Sequence, residues 1–473
     1  MSIDKDSPVS QTRVNRFCDS CLSPGVTHVS ARRRPLSALL AVLVAVAALS
    51  PAPAEAQTTL TLEEAMNRAR GDTVDARALA LAVDEAGARV EQAESGFWPR
   101  VDLTETVQRG NHPVFVFSSL LAQRRFSAAN FAIPALNHPE PLTNTRTGIA
   151  VEQRIFDSGL TNLAVQAAKL ERDMAATSQS AASRDLAFRA AQAFVRVLQL
   201  EAAVRATDAA MAAADSDQQR ARARRETGLV TEADVLTVEV HRADMRQRQI
   251  TAAGDLEVAR IQLAEAVGLP LTAALMTVRP SSRLMPADGN TLVREALNVH
   301  PQRRQAELRH QLADNARRTA RAAWLPSVAA QGGWEWNGST LGTQQSSWVV
   351  GAEVRLNLFN GFADVARMTE AGHAQSRAAA ERERIERTIE VEVRAAFVQL
   401  TAARAREEAG RTALAQARES QRIIRDRYET GLASVTDVLR AAEATLDAES
   451  RATAAEMDVI LQEVALDRAI GRL

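Results

Sequence analysis

Ser347-Trp348-Val349-Val350-Gly351-Ala352-Glu353-Val354-Arg355-Leu356-Asn357-Leu358 is the stretch on which the reading turns. Trp348, Val350, Ala352, Val354, Leu356 and Leu358 fall on one side, and Ser347, Val349, Gly351, Glu353, Arg355 and Asn357 on the other. That period of two predicts a β-strand with one apolar and one polar face. Residues 203 positions earlier keep the same faces: Ile149, Val151 and Ile155 against Gly148, Glu152 and Arg154. A soluble sheet packed on helices is the bland alternative, but it has no use for a face carrying Glu152, Arg154, Glu353 and Arg355, whereas a water-filled lumen does. Strands are expected at 101–109, 145–156, 327–336 and 346–358. Four strands cannot close on themselves, and an open edge in lipid leaves backbone groups unsatisfied, so several chains must share one barrel. Two chains give about 8 strands around a filled lumen, and three give about 12 around a pore.

The strands recur because the chain is written twice. Phe156-Asp157-Ser158-Gly159 is echoed by Phe359-Asn360-Gly361-Phe362, and Glu226-Thr227-Gly228-Leu229-Val230 by Glu429-Thr430-Gly431-Leu432-Ala433, both at a shift of 203. Asp234-Val235-Leu236 and Asp437-Val438-Leu439 hold the same register. Upstream the shift is 227, as between Pro99 and Pro326, which leaves about 24 extra residues in the first copy before Phe156. The expected organisation is an N-terminal extension and signal peptide at 1–56, a first repeat at 57–270, a linker at 271–289 and a second repeat at 290–473.

Each copy has one grammar. A helical segment of about 35 residues ends at Phe97-Trp98-Pro99 or Trp324-Leu325-Pro326, where proline favours extended backbone just before it. Strands follow, and then the period becomes helical. Residues 160–227 contain neither Gly nor Pro, a run about 100 Å long if continuous. Leu186, Ala190, Ala193, Val197, Leu200 and Val204 are spaced as a coiled-coil seam, and Ile389, Val393, Ala396, Leu400 and Ala403 repeat it. A turn at Gly228 or Gly431 and a returning helix complete an antiparallel hairpin, with the strands at the opposite end of the rod.

Composition agrees. Among 473 residues only 4% are aromatic, so the buried area must come from Ala, Val and Leu, which suit close helix packing. With 57 basic and 58 acidic residues interspersed there is no basic stripe for nucleic acid. Arg32-Arg33-Arg34, an apolar run at 36–49 and Ala54-Glu55-Ala56 read as an export signal cut before Gln57, the run being shorter than a membrane span. The residues ahead of it read either as an early assigned start or as a cleavable extension. Cys18 and Cys21 precede the cut, so the mature chain is expected to have no thiol and no lipidated N-terminal cysteine. The seven histidines are scattered, without metal-ligand spacing, a nucleophile elbow or a phosphate loop, so neither catalysis, a cofactor nor a metal is expected. His300-Pro301 reads as a structural helix turn.

The two copies, the Thr61-Leu62-Glu63-Glu64-Ala65 opening, the proline-ended helices and the Gly-Leu-Val and Gly-Leu-Ala turns followed by Asp-Val-Leu resemble the TolC-like outer-membrane efflux factors over essentially the whole mature chain. The resemblance implies a mainly α chain with a membrane β-barrel portion: a homotrimer whose barrel has four strands per chain and continues as a periplasmic α-helical coiled-coil barrel. It implies a passive conduit in an efflux or type I secretion system, working with an inner-membrane pump and a periplasmic adaptor (membrane fusion) protein. Gly228, Leu229, Val230, Gly431, Leu432 and Ala433 then become adaptor-docking tips. Asp234 and Asp437 become gate acids, Tyr428 a residue bonding Asp234 to hold the tip shut, and Arg440 a charge that neutralises the acidic ring. Two positions depart from the family pattern: Ala433 stands where the lock has an arginine, and Arg440 where a second pore-facing Asp is expected. Asp234 and Asp437 equally suit a helix N-terminus, where negative charge meets the dipole. The segment 110–142 reads as the outer loop, its phenylalanines packed on one another or the rim, or folded inward as a constriction. A periplasmic adaptor or scaffold is the rival reading, but an adaptor has one hairpin where this chain has two.

Overall fold

The long helices begin and end where the duplication requires. In the computed structural model, which describes residues 58–281 and 288–473, α5 spans Leu160–Glu226 and α9 spans Ala363–Glu429, each of 67 residues and offset by the repeat shift. Their returning partners are α6 (Glu232–Ala266) and α10 (Val435–Ile470). The turns between them place Gly228 and Gly431 at φ 74° and 78°, a left-handed conformation that glycine adopts without steric cost. The seam is as spaced: Leu186, Ala190, Val197 and Leu200 in α5 and Ile389, Val393, Leu400 and Ala403 in α9 are buried. The export signal, its cut, the extension ahead of it and Cys18 and Cys21 lie outside the described residues.

The helical segment before each proline is two helices rather than one. The first copy has α1 (Leu62–Gly71) and α2 (Val74–Glu94), the second α7 (Gly289–Val299) and α8 (Pro301–Ala322). Thr73 starts α2 by accepting a hydrogen bond from the Ala76 amide. In the second copy Pro301 lacks the amide that would continue α7, and His300 caps α8 through Nδ1, which accepts from the Gln302 amide at 3.3 Å.

Four antiparallel strands lie in the order β2-β3-β5-β6: Arg100–Gly110, Leu142–Phe156, Ser327–Gly338 and Gln345–Arg355. Two details differ from the alternation read in sequence. The register shifts between Arg154 and Phe156, so Ile155 is the bulge and Phe156 takes the apolar position opposite Val328. The last strand stops at Arg355, opposite Ser327, because Pro326 has no amide with which to extend the ladder to Leu356 and Leu358. The segment 110–142 is not plain loop. It folds as α3 (Pro113–Ala122), a 3₁₀ turn (Ala128–Phe131) and α4 (Ile133–Asn137). A small parallel sheet, absent from the sequence reading, pairs β1 (Thr58–Leu60) with β4 (Leu275–Thr277) in the linker. Leu60 and Leu275 sit in the largest apolar cluster, on the middle of α5.

Helices are ordered along a wall. In the half near the tip α6 packs on α5, α5 on α10 and α10 on α9, while in the half near the strands α2 lies on α5 and α8 bridges α5 and α9. One edge of the wall is therefore α6, α2 and β2, and the other is α9 and β6.

Candidate functional site

Opposed residues of an antiparallel ladder share a face, and the register sorts this sheet cleanly. Val101 opposes Val151, Leu103 opposes Ile149, Ile149 opposes Trp334, and Trp334 opposes Trp348. Val350, opposite Gly332, and Val354, opposite Val328, complete the apolar face. Among the described residues nothing covers its side chains: Leu103 and Val350 are 72% and 73% exposed. The other face carries all four residues read as lumenal. Glu152 lies between Arg100 and Gln331, Arg154 opposes Ala329, Ala329 opposes Glu353, and Arg355 opposes Ser327. Charges on this face pair with each other, Arg355 with Glu353 at 2.7 Å, Arg100 with Asp102 at 2.8 Å and Arg146 with Glu335 at 3.1 Å. Aromatic rings flank the apolar face at both ends. Phe97, Trp98, Phe156, Trp324, Phe359 and Phe362 are exposed at the helix end, while Trp334 and Trp336 stack at 5.9 Å toward the outer end. A band of apolar side chains between aromatic girdles is the outer surface of a membrane barrel.

At the far end the two hairpins share one small core. Ala221, Val235 and Val238 of the first meet Tyr428, Val435, Val438 and Leu439 of the second. The Asp234 and Asp437 carboxylates complete capping boxes. Asp234 accepts from the Thr231 amide at 2.9 Å and hydroxyl at 2.8 Å, and Asp437 from the Ser434 amide at 3.0 Å and hydroxyl at 2.7 Å. These bonds hold both carboxyls below the usual aspartate range, and nearby Arg440 and Arg427 add to the effect at Asp437. Both acids are thus ionised at neutral pH, and each keeps one oxygen turned away from its cap. Arg440 is exposed, as are Gly228, Leu229, Gly431 and Leu432, while Val230 and Ala433 are half-buried.

Tyr428 corrects an expectation. Among the described residues Asp234 accepts from Thr231 rather than from the tyrosine, because a capping box fixes the carboxylate at the start of its own helix. The tyrosine ring instead lies under Arg224, whose guanidinium carbon is 4.4 Å from the ring centroid. Arg224 Nη1 and Nη2 also donate to the carbonyls of Tyr428 and Glu429, both at 2.9 Å. This staple from one hairpin to the other was missed in sequence. The available signal was the shift itself, which places Arg427 at the equivalent position four residues before Gly431.

The outer membrane efflux protein family model matches residues 65–269 and 292–472, one stretch in each repeat. The chain belongs to that family. Protein CyaE of Bordetella pertussis is 26% identical over 434 residues, covering 89% of this chain and 86% of that protein. Among solved structures, the outer membrane protein VceC of Vibrio cholerae superposes with a TM-score of 0.70 at 19% identity, covering 87% of this chain and 96% of VceC. The Campylobacter jejuni CmeC outer membrane channel does so with a TM-score of 0.72 at 16% identity, covering 87% and 85% of the two chains. As a TolC-like family member the chain resides in the outer membrane, with its helical part in the periplasm, and its fold joins a β-barrel portion to an α-helical one. The family is one of channels. Among the described residues no helix is long and apolar enough to cross a membrane, and no cluster of His, Cys, Asp and Glu is placed to hold a metal.

Proposed function

We propose that three copies of this chain form a passive outer-membrane conduit, served by an inner-membrane pump and a periplasmic adaptor. The observation that carries this reading is the unlike pair of open edges. Among the described residues β2 and β6 each have one unpaired side, which lipid does not tolerate. Below them the edge helices expose apolar side chains, Leu236, Val240, Ile250 and Val258 on α6 and Val391 and Val398 on α9. An edge built from the first repeat that fits one built from the second is a head-to-tail interface, and such an interface makes a ring when the rotation between neighbours closes, as a barrel requires. Three chains of four strands give a lumen wide enough for water, with Glu152, Arg154, Glu353 and Arg355 inside it. At the tip, Asp234 and Asp437 are gate acids as well as caps, and Leu229 and Leu432 with their neighbouring turn residues dock the adaptor.

Fractionation and conductance test the reading together. The chain should stay in the membrane through carbonate and high salt, migrate unheated as a heat-modifiable oligomer, and give discrete conductance steps in planar bilayers. Extraction by carbonate as a monomer would instead fit the adaptor or scaffold alternative.

A further inference from the structure

Gln123, at the end of α3, is only 2% exposed, an unusual position for an amide in an outer segment. Its Nε2 donates to the Thr143 carbonyl and to Asn144 Oδ1, both at 2.9 Å, and Asn144 Nδ2 donates to Asn337 Oδ1 at 3.0 Å. Asn144 and Asn337 are 7% and 3% exposed. Such a buried, mutually satisfied polar chain fixes geometry, because leaving any member unpaired is costly. Asn144 is in phase with Arg146 and Glu152 on β3, and Asn337 with Glu335 on β5, so both amides rise from the polar face. The helix they hold is therefore on the lumenal side of the wall. Val116 and Ser119, on the same side of α3 as Gln123, are buried beneath it. Arg124 extends the attachment by donating from Nη2 to the Ser346 carbonyl of β6 at 3.0 Å.

The opposite side of α3 does not suit water. Residues 113–122 carry no charge. Val114 and Leu121 are 69% and 50% exposed, and Phe117 lies between them on the same face. Phe117 is braced edge-on by Phe126 at 4.8 Å, and Phe126 in turn by Phe131 at 5.1 Å. An apolar helix face projecting over a polar lumen calls for an apolar cover, and the three-fold axis offers one at the same height: the same face of the other two copies.

We propose that α3 is an outer lid, latched to the lumenal wall by Gln123, Asn144 and Asn337, in which the three copies of Val114, Phe117 and Leu121 meet and exclude water from the mouth. This rests on the trimeric conduit proposed above. An apolar constriction of this kind gates by dewetting, without any charged plug.

Two readouts on the full chain test it, both with Cys18→Ser and Cys21→Ser to remove the other thiols. First, Leu121→Cys oxidised in whole cells with copper phenanthroline should run as a covalent dimer that dithiothreitol reverses, while Val350→Cys on the lipid face stays single. Second, a bulky membrane-impermeant maleimide added outside should label Gly351→Cys slowly, and about tenfold faster once Val114→Asp and Leu121→Asp wet the lid. An unheated oligomer in which Leu121→Cys never cross-links, or in which lumenal labelling ignores the lid substitutions, overturns the lid alone. A chain that forms no oligomer overturns the conduit and the lid together.

Discussion

Arg224 does at the tip what the turn glycines cannot, since it ties one hairpin to the other. Two bonds to carbonyls and one ring contact converge on a single guanidinium. Arg224→Ala should raise the open-channel probability in bilayers several-fold, and Arg224→Lys, which keeps the charge but loses the planar fork, should fall between. Traces identical to wild type would remove Arg224 from any lock. His300 offers a pH test. Burial, and then the positive charge of Arg184, lower its pKa from 6.5 to about 4. The unfolded chain therefore takes up a proton before the folded one does, so the stability that depends on neutral His300 is full above 6.5, is lost as pH falls toward 4 and is level below. The loss should be about 3 kcal/mol. His300→Asn keeps a capping acceptor without the titration, so its melting temperature should vary less across that window. The helix turn at His300-Pro301 was legible, because proline lacks the amide a continuing helix needs, but the cap that His300 makes there was not. The partner of Tyr428 was not: which cation lies over a ring depends on how two hairpins pack, and sequence spacing within one hairpin carries no record of that.

At the scale of elements, the two unlike faces of the sheet can be told apart by single substitutions. Neighbouring residues Val350 and Gly351 lie on opposite faces, and a Cβ at Gly351 meets nothing within 4 Å. Val350→Arg should cost about 2–4 kcal/mol in the bilayer and deplete the heat-modifiable oligomer, whereas Gly351→Arg should assemble normally. Equal yields of the two would contradict the register. Alternation revealed these strands and the 3.6 period the long helices, since both patterns are set by the solvent on each side. The bulge at Ile155 escaped because it depends on the partner strand. So did β1 and β4, too short at three residues each to show any period. The helical turns of the outer segment were hidden among prolines, yet Pro113 begins α3 at a position that needs no amide donor. Strain persists where α9 starts: Phe362, at φ 66°, occupies the left-handed position that Gly159 fills in the first repeat, and its exposed ring meets Phe359 at 5.4 Å. The rim thus holds an aromatic where the backbone favours glycine.

For the whole molecule, duplication made the outline readable. Two copies with a common shift fix equal rods, turns at one level and strands at the other end, and no further tertiary information is needed to see it. How the copies lie beside each other was beyond the pattern, and with it the fact that each edge of the wall belongs to a different repeat. That inequality of the edges has a genetic consequence. A subunit spoiled at only one edge still offers a sound one, so it is recruited and then halts closure for its healthy neighbours. Expressed at parity with the normal chain, it would leave about one assembly in eight of the proposed trimer wholly normal, a dominant defect from a substitution that touches no conducted solute.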